Sequence, residues 1–191
     1  MLICLFSILT IGVNTAYTQK LNFDIEDVDA YAQPAQWGLS HSQDKMIVYR
    51  LVADSVIKHS GQYSMKIFST STKADFGGCY LQIPLPLKGK NITLKGFLKT
   101  ENVNNGYARL FMALINDSTV LRYDNMQERG LSGTNDWKEF SISLDLVEGV
   151  TKINLGAFVT GPGILWVDDL ALIIDDKKIT DSPVLQVKLP K

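Results

Sequence analysis

The chain has 191 residues, enough for one domain with a full core. Nineteen basic and twenty acidic side chains leave a formal net charge of −1. That balance gives no reason to expect nucleic acid or an anionic membrane as partner, and the hydrophobic share of 46% speaks against disorder.

The first nineteen residues, "MLICLFSILTIGVNTAYTQ", carry no charged side chain. Leu2 to Val13 form an apolar run of signal-peptide length, too short to span a bilayer. Ala16 and Thr18 sit at the minus-three and minus-one positions of a cut before Gln19. Residues 1–18 therefore read as a signal peptide, with export to the periplasm, cell surface or medium and no membrane span after its removal. No Lys or Arg precedes the run, so a buried first strand or an uncleaved anchor is the competing reading. Removing the signal takes Cys4 with it and leaves Cys79 without a disulfide partner. In "GGCYLQI", Cys79 reads as a small buried apolar residue, with no histidine placed to activate it.

The remainder reads as strand after strand: "LNFDIE", "MIVYRLVA", "YSMKIFST", "GCYLQIPL", "ITLKGFLKT", "YARLFMALI", "TVLRYD", "KEFSISLDL", "KINLGAFVT" and "ILWVDDLALII". Several alternate apolar and polar residues, as half-buried strands do. Phe140, Ile142, Leu144 and Leu146 share one face, for example. Turn signals separate the runs: "HSGQ", "LKGKN", "NVNNG", "SGTND" and "TGPG". No helix is expected beyond a short turn in "DVDAYAQPAQ". The pattern predicts an all-β sandwich or barrel over residues 19–176. Residues 177–191 lose the pattern and gain charge, as a tail or the start of a linker.

Catalytic signatures are missing: there is no phosphate-binding glycine loop, no GxSxG elbow and no HExxH. The two histidines, His41 and His59, fall in polar stretches, and no Cys or His cluster has metal-ligand spacing. The chain is therefore expected to be no enzyme. Oxygen groups remain. The strand "ILWVDDLALII" carries neighbouring acids, Asp168 and Asp169, although an ionised carboxylate in apolar surroundings costs on the order of several kcal/mol unless partnered. In a regular strand Trp166, Asp168, Leu170 and Leu172 share one face, and Val167, Asp169 and Ala171 the other. The inward acid then needs calcium, a salt bridge, or loop N–H groups.

Three stretches in order, "FDIEDVDA…QW", "VIKHSGQYSMKI" and "ILWVDDLALII", resemble the galactose-binding-like jelly-roll sandwiches of secreted carbohydrate-binding modules. The resemblance implies a jelly-roll β-sandwich of two antiparallel sheets. It also implies a structural calcium held by Glu26, the turn from His59 to Gln62, and Asp168, with Asp169 at a more variable position. Ile25 departs from that pattern, which usually has an aromatic before the early acid. The middle of the chain, "ITLKGFLKTENVNNGYARLFMALI" with "YDNMQERGLSGTNDWKEFSISLDL" and "LGAFVTGPGILWVDDL", is similar to the non-catalytic N-terminal domain of certain secreted Bacteroidetes proteins. In those, the sandwich precedes a tail-specific (C-terminal-processing) serine peptidase domain or an erythromycin-esterase-like domain. The peptidase's catalytic residues have no counterpart in this chain.

Sugar-binding sandwiches stack aromatic rings on sugar faces. Trp37, Tyr80, Tyr107, Tyr123 and Trp166 are candidates, although Trp166 reads as core beside Leu170 and Leu172, and Trp137 as a structural residue entering a strand. Tyr107 and Arg109 share a strand face with Phe111, and Asp124, Asn125, Gln127 and Arg129 crowd the next loop. This cluster reads equally as the lining of a concave sheet face and as a hydrogen-bonded loop without ligand. The expected function is an exported, non-enzymatic carbohydrate-binding module for a glycan or surface ligand, clamped by calcium. The alternative is an accessory domain that positions a peptidase catalytic domain.

Overall fold

The computed structural model describes residues 18–41, 48–84 and 88–183, so the expected signal peptide lies almost wholly outside the described residues. Twelve strands follow one another: β1 (Thr18–Lys20), β2 (Gly38–His41), β3 (Tyr49–Asp54), β4 (Ser64–Ser69), β5 (Phe76–Pro84), β6 (Asn91–Asn116), β7 (Thr119–Asp124), β8 (Leu131–Asp145), β9 (Lys152–Thr160), β10 (Ile164–Ile174), β11 (Lys177–Ile179) and β12 (Asp181–Pro183). No helix occurs among the described residues, and so none there is long and apolar enough to cross a membrane.

One strand joins the two layers. The first part of β6, Asn91–Glu101, pairs antiparallel with β10 on one side and β8 on the other. Its last part, Ala108–Asn116, pairs with β9 and β7. The first layer thus runs β3-β4-β10-β6-β8 and the second β2-β5-β9-β6-β7. The bend between them is "NVNNG", expected as a chain-reversing turn. Asn102 and Asn105 do take left-handed φ of 55° and 56°, but the chain carries on as strand and changes sheet. "SGTND" likewise lies inside β8 rather than before it.

The core lies between the layers. Met65, Ile67, Leu94, Leu98, Leu165 and Val167 face Leu81, Ile83, Leu110, Met112, Leu155 and Ala157, all at most 4% exposed. Burying such side chains contributes roughly 1.5–3 kcal/mol each. Cys79 is part of this core, and burial pushes its thiol up to about 12, which removes it as a nucleophile at neutral pH.

Two expectations fail at the chain's ends. "LNFDIE" buries Leu21, Phe23 and Ile25 in alternation, yet it forms no ladder. Its backbone is used singly: the Leu21 N–H donates to Thr180 O and the Phe23 carbonyl accepts from Leu170 N–H. Ile25 has a φ of 59°, a left-handed value that a β-branched residue rarely takes, which breaks the strand before Glu26. The charged stretch after Asp176 is not all tail. β11 pairs with β10, and β12 pairs with β1 in a separate ribbon that brings the two ends of the described domain together.

Candidate functional site

The acids of β10 are explained by a bulge. Asp168 pairs with Phe97 and Ala171 with Lys95, so two residues of β10, Asp169 and Leu170, oppose the single Gly96 of β6. Asp169, at φ 48°, takes up the extra residue. The alternation therefore inverts: Leu165 and Val167 face the core before the bulge, and Leu170, Leu172 and Ile174 after it. Trp166 and Asp168 lie on the opposite, outer face, which corrects the placing of Trp166 beside Leu170 and Leu172. The Trp166 indole N–H donates to Asp54 Oδ2 at 2.9 Å, and Lys66 Nζ lies 5.3 Å from its ring centre.

Loop 55–62 closes over this outer face. Asp168 is 1% exposed, and its Oδ2 accepts the backbone N–H groups of His59 (2.8 Å) and Ser60 (3.1 Å), while Oδ1 accepts that of Asp169 (2.7 Å). Asp169 holds the same loop by side chains: Oδ2 is 2.6 Å from His59 Nδ1, and Oδ1 accepts the Ser60 hydroxyl at 2.7 Å. The His59 ring stacks on Phe97 with centres 3.7 Å apart. Glu26 Oε1 accepts the N–H of Gln62 at 2.7 Å. Burial raises the Asp168 pKa, as does the Asp169 charge, against three lowering backbone bonds. So Glu26, His59, Gln62, Asp168 and Asp169, expected as calcium ligands, are gathered by the fold. The loop turns N–H donors toward the carboxylates: Asp168 accepts three and Glu26 Oε1 accepts that of Gln62. Among the described residues no group of three or more His, Cys, Asp or Glu side chains is arranged to hold a metal. As placed here, these groups form a hydrogen-bonded latch.

The second layer presents a different surface. Its outward residues form short rows across the strands. One row is Gly38, Tyr80, Gly156, Phe111, and the next is Ser40, Gly78, Phe158, Arg109. A third is Gln82, Asn154, Ala113, Tyr123. Large rings alternate with residues that have little or no side chain, so the rings can lean across the sheet. A Cβ on Gly38 would fall 2.6 Å from the Tyr80 ring, and one on Gly78 would fall 2.9 Å from Phe158 Cβ. Phe158 is the hub, with Phe76, Tyr107 and Phe111 rings centred 5.5, 6.1 and 6.2 Å away.

Over this platform lies a cavity of about 600 Å³, walled by Phe76, Tyr107, Phe111, Tyr123 and Phe158, with Ser40, Asn125, Asn154 and Thr160 as its polar groups. A recess of about 290 Å³ continues it past Gly78 and Tyr80. The size suits a small ligand or a few sugar rings. Tyr80, Tyr107 and Tyr123 keep exposed ring surface. Gln82 orients Asn154 through a 3.2 Å bond to its Oδ1.

The expected ligand-binding residues divide here. Tyr107, Tyr123 and Asn125 line the cavity; Arg109 stands beside it, its guanidinium 3.5 Å from the Tyr107 ring centre. Asp124 and Arg129 tie their own loop: they pair at 2.9 Å, Asp124 accepts Met126 N–H, and Arg129 donates to Ser141 O. That knot drives Met126 into the core, where it is fully buried. Gln127 is exposed on the loop and does not line the cavity. Trp37 is 8% exposed, packs edge-on against Phe23 and donates its N–H to Asn22 O, so it is structural and no ligand platform. Phe111 lines the cavity on the face it shares with Tyr107, while Phe76 and Phe158 are additions; alternation along their strands is the available signal, but not which sheet face lies open.

No protein-family model matches the chain. The fold is similar to the CBM22-1 xylan-binding domain of Paenibacillus barcinonensis Xyn10C, with a TM-score of 0.57 at 11% identity, over 91% of this chain and all of that one. It is similar to TmCBM61, solved with β-1,4-galactotriose, with a TM-score of 0.51 at 14% identity over 76% and 92% of the two chains. A cyclase from Fischerella sp. TAU, solved with 4-(1H-indol-3-yl)butan-2-one, aligns with a TM-score of 0.53 at 12% identity over 89% and 100%. The fold is a jelly-roll β-sandwich of antiparallel strands. In sequence, 95 residues are 33% identical to an uncharacterized HTH-type transcriptional regulator, YbfP, of Bacillus subtilis. That match spans 49% of this chain and 32% of the regulator, about a third of its length.

Proposed function

We propose that this protein is an exported, non-enzymatic carbohydrate-binding module that takes a glycan on its concave face. The observation that carries the reading is the open aromatic platform: three partly exposed tyrosines around a phenylalanine cluster, with Ser40, Asn125, Asn154 and Thr160 at its edges. Rings bury the apolar faces of sugars, and amides and hydroxyls bond their hydroxyl groups. The similar folds of a xylan-binding domain and of a galactotriose complex support the reading. The likeness to part of a transcriptional regulator supports a module that serves different companions, and the strand-only fold described here carries no helix-turn-helix of its own.

A glycan array probed with the domain tests this. Binding to a defined oligosaccharide class, lost in Tyr107→Ala and Phe158→Ala variants that still fold, is the expected result. An empty array would favour the accessory-domain reading, in which the same face meets a protein.

A further inference from the structure

We infer that the glycan carries an acidic sugar, a uronate whose carboxylate pairs with Arg109; this rests on the glycan reading of the concave face. Arg109 stands on the open face of β6 between Tyr107 and Phe111 and opposite Phe158, three residues that wall the cavity. Its guanidinium carbon lies over the Tyr107 ring, 3.5 Å from the ring centre. Gly130 packs against both side chains: an added Cβ would lie 2.8 Å from Arg109 Nε and 3.2 Å from Tyr107 Cβ. The side chain is therefore held in one orientation before any ligand arrives.

In that orientation the guanidinium has the Tyr107 ring as its partner and no carboxylate. Among the described residues no carboxylate pairs with Arg109, in contrast to Arg129, and its buried Nε has no acceptor. A guanidinium held beside a cavity without a carboxylate of its own offers its Nη donors to an anionic ligand. Its planar fork matches a carboxylate in two parallel hydrogen bonds, which a neutral hydroxymethyl group cannot accept with the same strength. The cavity is permissive for such a charge: none of its lining residues is acidic. The register of Lys152 opposite Ile115 adds a second cation on the same face. An uncharged chain would leave Arg109 unanswered.

The test uses matched pairs of probes that differ only in charge: oligogalacturonate against its methyl ester, and glucuronate-substituted xylo-oligosaccharide against the unsubstituted chain. Titration of the domain should show the acidic member of at least one pair bound about tenfold or more tighter, as expected for one charge-assisted pair. The preference should shrink with added salt. Arg109→Gln should bring the two members together, and Arg109→Lys, which keeps the charge without the fork, should restore only part of the preference. Equal or better binding of the neutral members overturns the uronate inference and leaves the glycan reading standing. Binding of no probe and no arrayed glycan overturns both. A thermal melt of each variant separates loss of recognition from loss of fold.

Discussion

The backbone N–H of His59 donates to the buried carboxylate of Asp168 at 2.8 Å across 109 residues of sequence. With the Ser60 and Asp169 N–H groups, this gives one carboxylate three backbone donors beneath a loop. Asp168→Ala would leave those donors without their acceptor. The expected cost is about 2–3 kcal/mol, on the scale of bonds to a charged group. Asp168→Asn, which keeps one acceptor oxygen, should lose less. Urea unfolding of the two variants checks the order. Equal stabilities of wild type and Asp168→Ala would show that the latch contributes nothing.

The same contacts set an opposed pair of pH effects. Burial, with the Asp169 charge, raises the Asp168 pKa. Its contribution is then fully present below the unfolded carboxylate value and is lost as pH rises through the folded value. Asp54 goes the other way. Burial alone would raise it, but bonds from the Trp166 indole and from Val56 and Ile57 N–H, with the Lys66 charge, leave it lowered. Its contribution is present above the unfolded value and lost as pH falls through the folded one. Stability followed against pH should therefore lose part of its acid-side decline in Asp54→Asn. The wild type should lose ground to Asp168→Asn as pH rises out of the carboxylate range.

Calcium should not matter to this latch. A ligand bound only by the folded state at 100 times its dissociation constant adds about 2.7 kcal/mol, which raises the midpoint of such a domain by several degrees, roughly. Melts in excess calcium and in chelator are expected to coincide. A rise in calcium would mean that loop 55–62 turns its carbonyls inward when the ion is present.

How far the sequence reveals this depends on which physical information is local. β9 and β10 are read at their observed bounds, because apolar strand residues and flanking turns are properties of neighbours in the chain. The bulge is not, since nothing in "WVDDLAL" tells that Asp169 lacks a partner on β6; the misplaced face of Trp166 follows from that one residue. "NVNNG" shows the limit of turn chemistry, as the same left-handed asparagines that reverse a chain can also bend one strand between sheets. The aromatic platform needs four strands in register before Gly38, Tyr80, Gly156 and Phe111 share a row, so its tyrosines are legible singly while Phe76 and Phe158 are not.

Gly61 should be irreplaceable for a reason visible only in three dimensions. It has φ of 61°, and a Cβ there would collide with the Glu26 carboxylate. Gly61→Ala should cost more than the roughly 1 kcal/mol of an unfavourable left-handed residue, because it also displaces the Glu26 bond to Gln62. The double variant with Glu26→Ala should be less destabilised than the sum of the two singles. Additive losses would mean that the glycine acts through its backbone alone.

Tyr123 gives the cleanest separation of binding from folding. The residue is 54% exposed, lines the cavity and has no role in the core cluster. Tyr123→Ala should change stability by no more than about 0.5 kcal/mol. Loss of a stacking ring should nevertheless weaken a bound oligosaccharide, by about tenfold for 1.4 kcal/mol. Trp37→Ala should behave in reverse, destabilising the fold by about 3–5 kcal/mol as a buried aromatic truncation does, because that ring packs on Phe23 far from the tyrosines in sequence and faces inward. Calorimetric titration beside a melt reads both. If Tyr123→Ala binds its glycan as the wild type does, the ligand lies toward Tyr80 and Phe158 and the outer end of the cavity is idle.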